Sequence, residues 1–124
     1  MALATEGSRV NGAVVLRVVG RVDGETAPEL DRVCQQWLAP DDSHMILDFT
    51  EVAYISSAGL SSVLRAGKEM DRQGGRLLIC GLSDRLRQLF AFSGFDTLFP
   101  VFETREAAIN ACGKKAVGRT NSGS

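Results

Sequence analysis

One histidine, one tryptophan, one tyrosine and three prolines are all that 124 residues contain of those types. Aromatic residues reach only 6%, too few for base-stacking platforms. No charge of one sign dominates. Lys and Arg total 14 against 15 Asp and Glu, so direct nucleic-acid binding has little electrostatic support. No apolar run approaches the roughly 20 residues that a membrane span needs. The start, MALATEGSRVNG, lacks a charged segment followed by a hydrophobic stretch, so no export signal is expected. The three cysteines, Cys34, Cys80 and Cys112, match neither a zinc spacing nor a C-x-x-C pair. Each sits in an apolar pattern. That predicts buried, reduced thiols, no metal site, and a reducing cytoplasmic setting.

What is present is a 44% hydrophobic content in a length that suits one domain with one core. Asn11-Gly12 between two β-rich pieces predicts a hairpin, with strands at about 3–9 and 13–19. A helix follows in DGETAPELDRVCQQWLAP. Thr26 and Glu29 have capping-box spacing, and Pro28 suits a first turn. Leu30, Val33, Cys34, Trp37 and Leu38 fall on one face. HMILDF reads as a buried strand, followed by a helix over about 57–72 that Gly74-Gly75 closes. RLLIC is the next strand. Ser83 caps a helix running to about Phe92, with Gly94 behind it. LFPVF is a short edge strand, and Thr104 caps a last helix. The order β-β-α-β-α-β-α-β-α predicts a single α/β domain with a mixed, largely parallel sheet and about four helices. Residues 1–113 are assigned to it, and 114–124 to a flexible tail.

In such sheets, functional groups gather in the loops beyond the strand C-termini. Two loops qualify: one holding Asp23, and the seam over 54–59 with Ser56, Ser57, Ala58 and Gly59. One serine suits the N-cap of the following helix. That leaves a second hydroxyl, and a glycine that offers a side-chain-free notch to an approaching partner. Catalysis is poorly supported. A nucleophile elbow centred on Ser57 has Ile55 where a glycine belongs, and His44 lies upstream, where it reads as a strand-end polar residue. Gly67-Lys68-Glu69 breaks the phosphate-loop pattern and sits within a helix. Asp41 and Asp42 are expected in a solvated turn, and Asp48 facing outward near a strand end, so no catalytic pair emerges.

The pieces GRVDGETAPEL, the strand–SSAGL–helix seam, the Gly-Gly turn into RLLIC, and the LRQLFAFSGF helix with its glycine stop together resemble the STAS domains of bacterial anti-sigma factor antagonists. The resemblance spans about residues 8–112. It implies a STAS fold and a non-enzymatic, cytoplasmic regulator without cofactor. In that family the unphosphorylated antagonist binds an anti-sigma factor, often itself a serine kinase, and so frees a sigma factor. Phosphorylation ends the binding, and a PP2C-type phosphatase restores it. The family's acceptor motif places the phosphorylated residue at Ser57, with Ser56 as second candidate in the position of the motif's aspartate. The partner-binding set becomes Asp23, Ser56, Ser57, Ala58 and Gly59. The resemblance leaves room for a homodimer. It also leaves an alternative, a STAS scaffold or subunit of a signalling or lipid-transport assembly without phospho-switching. A small serine enzyme is the third reading.

Overall fold

The structure, a computed structural model, describes residues 3–112. The tail expected at 114–124 lies outside the described residues. Asn11 (φ 52°) and Gly12 (φ 82°) take the left-handed backbone of a two-residue hairpin turn. They join β1 (Ala4–Val10) to β2 (Ala13–Val22), antiparallel, with Val10 opposite Ala13. The other strands add in parallel. β3 (His44–Ile55) pairs with β2, β4 (Arg76–Cys80) with β3, and β5 (Val101–Phe102) with β4. Spatial order therefore equals chain order, with β5 at an edge as expected. α1 (Ala27–Trp37) and α2 (Ser57–Arg72) connect β2 to β3 and β3 to β4. α3 (Asp84–Ser93) and α4 (Phe95–Leu98) lead to β5, and α5 covers residues 105–112. This is the expected mixed sheet with one helix more. Gly94, at φ 81°, both stops α3 and opens the short α4.

The two-residue period of the strands sorts the core into two layers. Leu16 and Val18 of β2, Leu47 and Phe49 of β3, and Ile79 of β4 pack with Leu30 of α1, Val63 and Met70 of α2, and Phe90 of α3. The opposite face joins Val15, Ile46, Leu78 and Cys80 to Ala108 and Cys112 of α5. A sheet covered on both faces explains why its strands read as continuous apolar runs. The three cysteines are buried and form no disulfide among the described residues. Burial foremost pushes Cys34 and Cys80 each up to about 12.

Three local expectations are corrected. Thr26 does precede α1, but its backbone is helical (φ −99°, ψ −16°), so its hydroxyl does not meet the first-turn amides. It donates instead to the Arg21 carbonyl (2.7 Å) and accepts from the Asp23 N–H (3.0 Å), while Glu29 pairs with Arg32. Asp42 is buried rather than solvated. It accepts from Arg9 (3.2 Å) and from the Ala39 N–H (3.1 Å). Asp48 faces inward, because alternation along β3 puts it beneath α5 on the side of Ile46. Buried carboxylates need partners, and Asp48 has them. Oδ1 accepts from the Thr50 N–H (3.0 Å) and hydroxyl (2.6 Å), and Oδ2 from Arg105 of α5 (3.0 Å). By contrast, Ser83 and Thr104 cap their helices as the spacing predicts, accepting from Leu86 (3.2 Å) and Ala107 (3.1 Å).

Candidate functional site

The seam is shorter than its sequence suggests. β3 continues to Ile55 because it stays paired with β2 up to Val22, and α2 starts at Ser57. Only Ser56 lies between them. Its backbone is extended (φ −92°, ψ 178°), and its N–H donates to the Val22 carbonyl at 2.9 Å. That bond fastens the seam to the end of β2, where Asp23 follows. The two loops singled out in the sequence therefore neighbour each other.

The two serines divide the work. Ser56 Oγ accepts from the Gly59 N–H at 3.3 Å, so Ser56 is the N-cap of α2. Ser57 is the first residue of the helix. It is exposed, and among the described residues its hydroxyl makes no hydrogen bond. Ala58 is half-buried beside it. Gly59 corrects the notch reading. It is buried, and a Cβ built on it would lie 2.6 Å from the Val22 carbonyl oxygen and 2.8 Å from Ile55 Cγ2. The space left by the missing side chain is filled by this chain's own β2, so Gly59 supports the seam from below. Deeper in α2, the Ser62 hydroxyl donates to the Ala27 carbonyl (3.2 Å), tying the two loops' helices together.

Asp23 is held by its own loop. Its Oδ1 accepts from the N–H groups of Glu25 (3.0 Å) and Thr26 (3.3 Å), and Oδ2 lies 3.5 Å from Arg21. Desolvation raises its pKa, but those amides and the Arg21 guanidinium outweigh it and hold the carboxyl below the usual range. Asp23 is thus an anion at neutral pH. Arg21 also lies over the Tyr54 ring, 4.9 Å from its centroid.

Sequence reasoning missed the rest of the surface. A groove of about 370 Å³ runs from Tyr54, Ser57 and Leu60 to Arg85, Leu86 and Leu89 of α3. The α3 residues come more than 25 positions after Ser57, so no local spacing announces them. Their one signal is Arg85 itself, a cation in the first turn of a helix, where the dipole disfavours it. Among the described residues no base is hydrogen-bonded to Ser57. His44 opens β3 at the other end of the strand, roughly 35 Å of extended chain away. Among the described residues no cluster of three or more potential metal ligands occurs, and no helix is long and apolar enough to cross a membrane. A mixed sheet covered on both faces thus presents a neutral alcohol and an anion on adjoining loops.

The STAS domain family model matches residues 5–108, and the chain belongs to that family. BtrV of Bordetella bronchiseptica, which carries a provisional anti-sigma factor antagonist name, is 33% identical over 103 residues, or 83% of this chain and 89% of that protein. The anti-sigma-B factor antagonist of Listeria monocytogenes is 31% identical over 68% of this chain and 74% of its own length. Among solved structures, an anti-sigma factor antagonist from Mycobacterium paratuberculosis superposes with a TM-score of 0.80 at 23% identity, covering 88% of this chain and 92% of that one. The phosphorylated form of the Bacillus cell fate determinant SpoIIAA superposes at 0.68, also at 23% identity, covering 88% and 99%.

Proposed function

We propose that this protein is an anti-sigma factor antagonist switched by phosphorylation of Ser57. The observation that carries the proposal is the division of labour at the seam. Ser56 caps the helix, which leaves the Ser57 hydroxyl exposed and unused by the fold. In the unmodified state an anti-sigma factor docks over Ser57 and Ala58, with Asp23 beside them, and its sigma factor is released. In the cytoplasm a kinase, the anti-sigma factor itself or one like it, transfers the γ-phosphoryl group of a nucleoside triphosphate to Ser57 Oγ. The new P–O bond forms as the β–γ bridge breaks, the diphosphate leaves and the hydroxyl proton passes to solvent. A PP2C-type phosphatase hydrolyses the ester and resets the switch. The solved forms of SpoIIAA, one phosphorylated and one not, support a chemistry of this kind in the fold.

The physics of release is local. A phosphate brings about −1.5 to −2 charges at neutral pH. The free N–H groups at the start of α2 tolerate it, but a partner fitted to a neutral hydroxyl does not, and ionised Asp23 adds like-charge repulsion. A penalty of about 3 kcal/mol weakens binding more than a hundredfold, since 1.4 kcal/mol is a factor of ten. The test is calorimetric titration of the Ser57 variants with an anti-sigma factor that binds the wild-type protein. Ser57→Asp is expected to lose at least about a hundredfold in affinity. Ser57→Ala should bind like wild type yet take up no phosphate from the partner and ATP. Unchanged binding by the Asp variant would leave a STAS scaffold without a switch.

A further inference from the structure

Arg85 has no evident structural duty. It is exposed in the first turn of α3, directly after Asp84. Among the described residues eight arginines make ion pairs: Arg9, Arg17, Arg21, Arg32, Arg65, Arg72, Arg87 and Arg105. Arg85 makes none. It is also the one charged residue on the groove that Ser57 borders, whose remaining lining is apolar apart from Tyr54 and the two serines. A cation at a helix N-terminus works against the dipole, so its place is paid for by something other than local stability.

We propose that Arg85 is the internal counter-ion of the phosphate on Ser57. This rests on the reading of Ser57 as the acceptor and states what the modified site does next. The phosphoryl group extends from the first residue of α2 over the groove, and the Arg85 guanidinium reaches it from the facing wall. Planar guanidinium and phosphate oxygens suit a two-point contact. The pair joins α2 to α3 across the groove mouth and covers the apolar floor at Leu60 and Leu89. Phosphorylation then withdraws docking surface as well as adding charge. Asp23 is already occupied by Arg21 and by its own loop amides, so it does not compete for Arg85.

The test installs phosphoserine at position 57 during translation and follows the 31P resonance with pH, in otherwise wild-type protein and in Arg85→Ala. The α2 N-terminus acts equally on both, so the comparison isolates Arg85. Removing it is expected to raise the second phosphate pKa by about 0.5, the size that an exposed ion pair gives. Arg85→Lys should keep part of the depression, which a packing role would not. Identical titration curves for the Arg and Ala proteins overturn the pairing. Because no kinase is involved, the titration judges Arg85 separately from the switch. A normal shift, together with undiminished anti-sigma binding by the phosphoserine protein, would sink the functional reading and leave the pairing standing.

Discussion

Gly59 is a position where one added methyl group is expected to be felt. Its missing Cβ would meet a backbone carbonyl, that of Val22, which cannot swing aside as a side chain tip would. Gly59→Ala should therefore destabilise the protein by about 1–3 kcal/mol, against the gain of under 1 kcal/mol that alanine normally brings to a helix. Urea denaturation reads this directly, and a neutral or stabilising result would mean that β2 yields. Asp48 supplies the pH dependence. Burial raises its pKa, but the Thr50 hydrogen bonds and Arg105 outweigh burial and leave it lowered. A depressed folded-state pKa adds stability above the unfolded value, near 3.9, and loses it as pH falls through the folded value. The stability gap between wild type and Asp48→Asn should accordingly be constant from pH 5 to 8 and close below about pH 4. A gap that persists to pH 2 would assign the cost to hydrogen-bond geometry rather than charge.

At the scale of elements, α2 shows how one cap separates two neighbouring hydroxyls. Ser56→Ala removes the bond to the Gly59 amide and should cost about 1 kcal/mol of stability. It should still be phosphorylated, with the phosphate found on Ser57 by fragmentation mass spectrometry. Phosphate that vanishes in Ser56→Ala and persists in Ser57→Ala would move the acceptor to Ser56. The elements differ in how legible they are. Helices with strong local punctuation, such as Ser83 to Gly94, can be read directly, because cap and stop lie within the segment. The end of β3 cannot. Its last residues are strand because β2 is there to pair with them, as Val22 does with Ile55. The failed capping box at Thr26 has the same origin: the residue is buried in a loop shaped by Arg21 and Asp23.

Across the whole molecule, the sequence order of strands and helices is legible because each strand pairs with its chain neighbours, from β1 through to β5. What stays hidden is which face each polar residue takes. Asp48 reads as outward until α5 is known to cover that side, and the groove wall at Arg85 and Leu89 becomes part of the site only through tertiary packing. That architecture makes a prediction about the modified state. Ser57 lies outside both core layers, and no hydrogen bond among the described residues depends on its hydroxyl. The charge it gains meets the favourable end of a 16-residue helix, worth about 0.3–1 kcal/mol, while Asp23 opposes it over a solvated surface. The proposed Arg85 pair favours it over the same solvated surface, and each of these terms is no more than about 1 kcal/mol. The melting temperature of the phosphoserine-57 protein should therefore stay within about 5 °C of the unmodified form, since 1 kcal/mol moves a domain of this size by about that much. Amide chemical-shift changes should be confined to the starts of α2 and α3 and the loop at Asp23. Perturbations reaching Phe49 or Ile79, at the middle of the sheet, would mean that the phosphate ejects its partner by reshaping the domain. The structure gives it no lever for that, because Ser57 itself belongs to neither layer of the core.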